Sequence, residues 1–136
     1  MKKLYCLNFY SQPNGDYREG FHIGLFWTYD EAKRIAVRYK KEVPGFKDYD
    51  CDEEITEVSI IGDEEQVSCV YRYTGWNENE NFDEVDIIES DCYVDHSKAE
   101  EDYHCAQSAL DRKEWALNRH VIGQCDWQEG FVRCSD

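Results

Sequence analysis

Proline is scarce in this chain, and no long apolar run is present. Only two prolines occur among the 136 residues, so no Pro-rich linker separates domains. No segment approaches the roughly 18 consecutive apolar residues of a membrane-spanning helix. The opening MKKLYCLNFY places two lysines before apolar residues, but Asn8 ends the apolar run before the about 7–15 residues of a signal h-region. These absences predict a cytoplasmic protein that does not engage a membrane.

Paired cysteine motifs are also missing, although seven cysteines occur. They are scattered along the chain as Cys6, Cys51, Cys69, Cys92, Cys105, Cys125 and Cys134. Without a C-x-x-C pair, neither a zinc ribbon nor a thioredoxin-type redox site is indicated. In a reducing compartment we expect these side chains to behave mainly as small buried hydrophobic groups.

Sequence signatures of catalysis and of metal binding are absent as well. No nucleophile elbow, phosphate-binding loop or Rossmann glycine fingerprint occurs. Cys92, His96, His104 and Cys105 are residue types that bind zinc. Adjacent helical positions point about 100° apart, however, so His104 and Cys105 would fit one tetrahedral site poorly. Residues 78–102 contain no glycine, which a calcium loop requires. We predict no catalytic residue, no metal and no cofactor.

Basic residues are rare in the middle of the chain, and the net charge is −15. Residues 1–47 hold nine basic and five acidic side chains, a net of +4. Residues 48–102 hold two basic and twenty acidic ones, a net of −18, and the remainder carries −1. So acidic a region repels a phosphate backbone, which argues against nucleic-acid binding through it. It favours a basic protein partner, or serves solubility alone.

The first half predicts a β-β-α-β order of elements. KLYCLNFY is apolar on both faces, as a central strand would be, and FHIGLFW follows a Pro-Asn-Gly turn to form an antiparallel hairpin with it. TYDEAKRIAVRYKKEV opens with Thr28 and Glu31 at capping-box spacing, and Pro44-Gly45 ends this helix. EEITEVSII alternates as a third strand.

The second half repeats this order. QVSCVYRY, EVDIIESDCYV and EWALNRHVIG are predicted strands, and TGWNENENF is a predicted polar turn. HSKAEEDYHCAQSALDRK is a predicted helix with Ser97 and Glu100 at capping-box spacing. A period of about 65 residues predicts an internal duplication. The predicted fold is α+β: a single compact domain over 1–136, whose halves, 1–64 and 65–136, each have an antiparallel sheet and one helix and share one core.

Short motifs in the first half and at the end of the chain resemble a small bacterial domain family of unknown function. Ile23-Gly24, Asp30-Glu31-Ala32 and Pro44-Gly45-Phe46 match its early motifs. Trp127, Glu129, Gly130 and Phe131 match its closing Trp-x-Glu-Gly-Phe. The middle of the chain departs from the family pattern, because a second β-β-α-β unit separates the two parts. The resemblance implies no activity.

The acidic region suggests an interaction surface with an aromatic anchor. Trp76 stands in the predicted polar turn beside the acidic run, and tryptophan is common at interface hot spots. The alternative is that Trp76 folds back over the sheet edge. The predicted surface consists of Trp76, Glu78, Glu80, Asp83, Glu84, Asp86 and Asp91. The leading hypothesis is an interaction module, of immunity or inhibitor type, that binds a basic protein.

A ligand-binding or enzymatic domain is the alternative hypothesis. Its pocket would lie between the two halves and include Tyr103, His120, Trp127 and Glu129. A carboxyl buried beside Trp127 would have a raised pKa, which acid–base catalysis requires. We expect the terminal segment to close the sheet instead, with Gly130 allowing a bend. The basic helix and the acidic middle could also pair between copies, which leaves a homodimer open.

Overall fold

The computed structural model describes residues 2–11, 19–62, 67–80, 84–127 and 130–131. These residues form seven strands and two helices, so the fold is mixed α+β, as the sequence predicts. The chain divides into two compact units. The first unit comprises Lys3–Glu57 and Gly123–Asp136, and the second unit comprises Met1–Lys2 and Val58–Ile122. Within the described ranges, neither helix is long and apolar enough to cross a membrane.

The first unit is built on an antiparallel hairpin and one helix. Its elements are β1 (Lys3–Ser11), β2 (Glu19–Phe26), α1 (Tyr29–Glu42) and the beginning of β3 (Asp52–Ile61), which continues into the second unit. β1 lies between β2 and β3. β1 is buried on both faces, as its apolar sequence predicts, with Leu4, Cys6, Leu7 and Phe9 all buried. The predicted hairpin is confirmed.

Helix α1 begins and packs as its sequence indicates. The Thr28 hydroxyl oxygen accepts a hydrogen bond from the Glu31 backbone N–H at 3.1 Å, which satisfies an otherwise free donor of the first turn. Ala32, Ala36 and Tyr39 form the buried face. Basic residues in the last turn face the partial negative charge of the helix end. Capping and amphipathicity therefore specify this helix locally.

The core of the first unit is aromatic, and the end of the chain belongs to it. The ring of Phe46 lies 5.1 Å from that of Phe9, 5.4 Å from that of Phe21 and 5.0 Å from that of Phe131. Phe131 also stacks on Phe21 at 4.5 Å. The tail thus packs in the first unit, whereas the division at residue 64 assigned it to the second half.

Backbone hydrogen bonds hold this tail in place. The N–H groups of Gly123 and Asp126 donate to the carbonyls of Leu25 and Ile23 on β2, at 2.7 and 2.8 Å. The Phe131 N–H donates to the Pro44 carbonyl at 3.0 Å. Gly130 adopts φ +80°, the left-handed backbone that a bend requires and that glycine adopts readily. The expected closing role of the segment therefore has a physical basis in Phe131 and its neighbours.

The second unit is a sheet centred on one strand and covered by one helix. Its elements after β3 are β4 (Cys69–Glu78), β5 (Glu84–Glu89), β6 (Cys92–Tyr93), α2 (His96–Ala109) and β7 (Glu114–Val121). β4 pairs antiparallel with β5, β6 and β7. β6 also pairs with the end of β3 in parallel, so the expectation of wholly antiparallel sheets is wrong at this strand.

The predicted strand over 84–94 is broken into β5 and β6 at Ser90. The Ser90 hydroxyl accepts from the Tyr73 N–H at 2.9 Å and donates to the Asp91 carbonyl at 2.7 Å. The Ser90 side chain thus takes the place of a backbone carbonyl as the acceptor for the Tyr73 N–H. The start of α2 also differs, because Asp95 and not Ser97 is its N-cap: its carboxylate accepts from the Ser97 N–H at 3.0 Å.

Both units contain a hairpin, a helix and a further strand beside the first strand of the hairpin. This order agrees with the predicted β-β-α-β pattern, apart from the extra two-residue β6. A shared order of elements does not show a duplication, because small α+β units converge on few arrangements.

We expect Phe131→Ala to lower the free energy of unfolding by about 2–4 kcal/mol, because it removes a ring packed between other aromatic rings. Val37→Ala, at an α1 position that is 41% exposed, is the control and should change the value by less than about 0.5 kcal/mol. Urea unfolding followed by tryptophan fluorescence measures both. Equal effects of the two substitutions would show that the tail does not contribute to the core.

Candidate acidic interaction surface

The structure places most of the predicted interaction residues around the β4–β5 hairpin. Trp76 and Glu78 lie on β4, Glu80 follows β4, and Glu84 and Asp86 lie on β5. Asp91 stands between β5 and β6, and Asp83 lies outside the described residues. We call the described members the acidic hairpin surface: Trp76, Glu78, Glu80, Glu84, Asp86 and Asp91. All of its carboxylate residues are exposed.

Two carboxylates of this surface face each other across the hairpin. Glu78 of β4 is the direct cross-strand partner of Glu84 of β5. Like charges in this position destabilise a sheet, typically by a few tenths of a kcal/mol. Within the described part of the chain, neither residue forms an ion pair. The hairpin therefore holds an unneutralised pair of negative charges at its end.

This end of the hairpin projects past β7. The pairing of β4 with β7 stops at Trp76, opposite Glu114. The pairing of β4 with β5 continues through Asn77 to Glu78. The last residues of the hairpin therefore form a two-stranded ribbon. The Lys113 N–H still donates to the Asn77 side chain at 3.0 Å, but the carboxylate residues Glu78 and Glu84 are exposed.

A bulge fixes the register that brings Glu78 and Glu84 together. The pairing of β4 with β5 shifts between Gly75 and Asn77, and Asp86 adopts φ 54°, a backbone conformation that few non-glycine residues adopt. The Asn77 amide nitrogen donates to the Asp86 carboxylate at 3.3 Å. The Arg112 guanidinium donates to the Asp86 carbonyl. These bonds stabilise the bulge and therefore the strand register in which Glu78 faces Glu84.

One apolar side chain accompanies the acidic residues. Ile87 of β5 is 49% exposed, although β-branched apolar residues are usually buried. The prediction that Trp76 lies in a polar turn is wrong. Trp76 lies in strand β4, which extends further than the sequence pattern suggests. Its indole N–H is buried and has no hydrogen-bond partner among the described residues. Ile87 rather than Trp76 is therefore the exposed apolar contact.

Another carboxylate of the second unit has internal partners and so differs from the hairpin residues. Asp102 of α2 accepts a hydrogen bond from the Tyr93 hydroxyl at 2.7 Å, and its other oxygen lies 3.1 Å from the Lys98 ammonium. The Tyr93 hydrogen bond, followed by that of Lys98, lowers the pKa of Asp102 below its ordinary 3.8. Burial, then the hydrogen bond to Asp102, raises the pKa of Tyr93.

A groove of about 350 Å³ lies beside this carboxylate. It is lined by Tyr73, Asp102, Cys105, Ala106, Ala109 and Leu110. Its volume is in the range of small-molecule sites. Its lining is mainly apolar, and its one carboxylate already binds Tyr93 and Lys98. The groove thus lacks the converging free polar groups that would orient a substrate.

A polar cluster of the first unit resembles a nucleophile with its base, and sequence reasoning missed it. The Cys6 sulfur lies 3.6 Å from Nδ1 of His22, and this nitrogen lies 3.1 Å from Oδ1 of Asn8. Nε2 of His22 lies 3.6 Å from the Asp126 carboxylate. Cys6 is only 1% exposed, however, so a substrate could not reach its sulfur. The signal was present, since Asn8 and His22 are polar residues on facing strands.

The residues of the predicted pocket are divided between the units. Tyr103 of α2 packs edge-on against Trp115 at 6.2 Å, and His120 lies on β7 opposite Val70. In the first unit, Trp127 packs edge-on against Phe21 at 5.2 Å. Glu129 lies outside the described residues. The pocket stays a prediction.

Half of the described cysteines are buried, as the sequence predicts for most of them, and the other half are not. Cys6, Cys51 and Cys92 are buried, Cys69 and Cys125 are half-buried, and Cys105 is exposed; none of these six forms a disulfide. Cys134 lies outside the described residues. Cys92 is buried on β6 while His104 and Cys105 are exposed on α2, which does not suit one zinc site.

Comparison with protein-family models, with curated proteins and with solved structures finds no match to this chain.

The lowered pKa of Asp102 has a consequence for stability. A depressed carboxyl pKa stabilises the folded state above the unfolded pKa, and this stabilisation is lost as the pH falls through the lower folded value. We expect Asp102→Asn to be less stable than the parent protein at pH 7. This difference should shrink as the pH falls below about 4. Urea unfolding at several pH values measures it.

Glu101→Gln is the matched control, because it removes a neighbouring exposed charge on the same helix. It should change stability little, and without the same dependence on pH. A difference between Asp102→Asn and the parent that stayed constant down to pH 2 would contradict the assigned role of the carboxylate.

Proposed function

We propose that this protein is a cytoplasmic interaction module that binds a basic protein partner through the acidic hairpin surface. The supporting observation is that Glu78 and Glu84 face each other, in a register set by the β4–β5 bulge. No cation of the described residues neutralises them. A lysine or arginine of a partner placed between these carboxylates would turn repulsion into attraction. Binding would then remove a cost that the free protein bears.

The sheet edge favours binding through side chains over strand addition. β5 pairs with β4 on one side and ends the strand order on the other. Its edge carries Glu84, Asp86 and Glu89 and is interrupted at Asp86, and both charge and bulges discourage the pairing of a further strand. We therefore propose that basic side chains of the partner meet the carboxylates, while Ile87 supplies apolar contact area.

The charge of the whole protein supports rapid association. A net charge of −15, concentrated in residues 48–102, attracts a basic partner over distances near the Debye length, about 8 Å at physiological salt. Such steering raises the association rate and makes it sensitive to salt. An inhibitor or immunity-type protein that must block a nucleic-acid-binding or otherwise basic enzyme would benefit from this property.

We also propose that the first unit is the small domain that the motif resemblance describes. In its support, the early and closing motifs meet in this unit: Phe131 packs against Phe46 and donates its N–H to the Pro44 carbonyl. The second unit would then be an insertion, and the shared element order supports its origin by duplication of the first. No catalytic role follows from this assignment.

The test is affinity capture from a lysate of the source organism, at about 0.05 M and then about 0.5 M salt. The parent protein is compared with Glu78→Gln/Glu84→Gln. We expect the parent to retain one stoichiometric basic protein at low salt and to release it at high salt. The double variant should not retain it, although its free energy of unfolding should rise by a few tenths of a kcal/mol because the repulsion is gone.

The matched control is Glu100→Gln/Glu101→Gln, which removes the same charge from exposed positions of α2. It should retain the partner. If both double variants lose the partner equally, net charge alone accounts for binding, and the hairpin is not the site. If the parent retains no protein at low salt, the electrostatic interaction itself is refuted. Size-exclusion chromatography at both salt concentrations identifies a second copy of this chain as the partner.

A further inference from the structure

Strand β7 of the second unit is paired along one edge only. It pairs antiparallel with β4 over its whole length, without a register shift. Among the residues that the structure describes, no strand other than β4 pairs with it. In the middle of the strand, Asn118 and Arg119 are exposed and Leu117 is half-buried. We call the side of β7 opposite to β4 the outer edge, and such an edge is a template for pairing with a further strand.

The hydrogen bonds of β4 show which residues of β7 face the outer edge. The backbone carbonyl and N–H of Tyr73 both bond to Ser90, on the β5 side of β4. Leu117 is the cross-strand partner of Tyr73 in β7. The two residues therefore form a pair that exchanges no backbone hydrogen bonds, and the N–H and carbonyl of Leu117 point away from β4.

A second hydrogen bond confirms this alternation. The N–H of Ile122, directly after β7, donates to the Ser68 carbonyl at 2.9 Å, so the even-numbered positions face β4. Backbone groups alternate in direction along a strand. Trp115, Leu117 and Arg119 consequently present a regular row of donors and acceptors at the outer edge.

The edge of β5 is protected against strand pairing, whereas the outer edge of β7 is not. β5 carries Glu84, Asp86 and Glu89 and is interrupted by a bulge. β7 has no bulge and no proline, and its lysine, arginine and acidic residues are limited to Glu114 and Arg119, whose charges cancel. Charge, proline and bulges are the usual means of preventing edge pairing. Their absence from β7 favours strand addition there.

We propose that β7 pairs with β7 of a second copy of this chain, which joins two sheets into an antiparallel, two-fold symmetric dimer. Symmetry requires that a residue near the centre pair with itself. With Leu117 opposite Leu117 of the second copy, Trp115 lies opposite Arg119 on each side of the axis. These are the residues whose backbone groups face the outer edge, so each pair exchanges two backbone hydrogen bonds.

The side chains favour this register over a shifted one. Trp115, Leu117 and Arg119 alternate along β7 and so share one face of the sheet. Pairing centred on Leu117 brings two apolar side chains together and places a guanidinium beside the half-buried indole of Trp115. A centre at Ala116 would place Arg119 opposite Lys113, where like charges repel. A centre one residue after Leu117 would place the guanidinium opposite the apolar Leu117.

The net charge separates this dimer from the binding of a basic partner. Two copies that each carry a charge of −15 repel each other. Salt screens this repulsion, so the dimer should become tighter as salt is raised. The same change weakens attraction between the acidic hairpin surface and a basic protein. The two associations therefore respond to salt in opposite directions, and either can fail without the other.

The experiment measures self-association of the intact protein by analytical ultracentrifugation, from about 5 to about 500 µM and at about 0.05 and about 0.5 M salt. We expect a monomer–dimer equilibrium with a dissociation constant on the order of micromolar, because one strand pair buries little area. It should tighten several-fold at the higher salt. In amide hydrogen exchange, the N–H groups of Trp115, Leu117 and Arg119 should gain protection as concentration rises. Those of Ala116 and Asn118, which face β4, should be protected throughout.

Leu117→Lys is the decisive variant, because it places two ammonium groups against each other at the two-fold axis. It should weaken the dimer at least about tenfold. Asn118→Lys is the matched control: it adds the same charge at the next, exposed position, on the opposite face of the sheet. It should dimerise at least as tightly as the parent. Arg119→Pro removes an N–H at the outer edge and no bond to β4, so it should also weaken the dimer.

A chain that stays monomeric at about 500 µM and about 0.5 M salt would overturn the proposal. So would a dimer in which Trp115, Leu117 and Arg119 gain no protection, or equal weakening by Leu117→Lys and Asn118→Lys. Protection of these groups only by a strand of another protein would refute the second copy as occupant. If Leu117→Lys proves unfolded by circular dichroism, Arg119→Pro decides the matter.

Discussion

The return of the chain to β2 after residue 122 is the interaction on which the first unit depends. The N–H groups of Gly123 and Asp126 bind β2, and Phe131 then covers rings that would otherwise face water. Closing a loop over the intervening segment costs conformational entropy, but this cost grows only with the logarithm of length. The stacked Phe131 and three backbone hydrogen bonds can offset it. Two segments that a whole β-β-α-β segment separates in sequence can therefore form one small core.

Local chemistry made much of this fold predictable. β1, β2 and α1 follow from apolar patterning and a capping residue, which act between neighbours in sequence; the predicted Pro-Asn-Gly turn lies outside the described residues. The break between β5 and β6 was not predictable in the same way, because the Ser90 hydroxyl replaces a ladder bond to Tyr73, 17 residues away. The tail was placed in the wrong half for a similar reason: its partners on β2 and at Pro44 are distant in sequence.

The acidic hairpin surface, too, could be predicted only in part from the sequence. Composition alone identified the acidic region and most of its residues. It could not show that Glu78 faces Glu84, because this register depends on a bulge held by Arg112 from beyond α2. Nor could it show that Arg38 of α1 lies beside the Cys125 sulfur, because the returning tail brings the two together. In both places the surroundings of a side chain are set by a contact with a residue distant in sequence, which sequence patterns do not reveal.

The unneutralised charges at the hairpin are not a simple result of acidic composition. Where β4 is paired on both sides, a carboxylate of the neighbouring strand β5 has a cationic partner. Arg72 of β4, whose side chain is 13% exposed, lies 2.9 Å from the Glu89 carboxylate. Beyond the end of β7 the same strand carries Glu78 opposite Glu84 with no described cation. Water solvates that ribbon and keeps the repulsion small, so the fold tolerates it. The bulge that creates this register is itself held by side-chain hydrogen bonds to Asp86, which scattered carboxylates that serve solubility alone would not require.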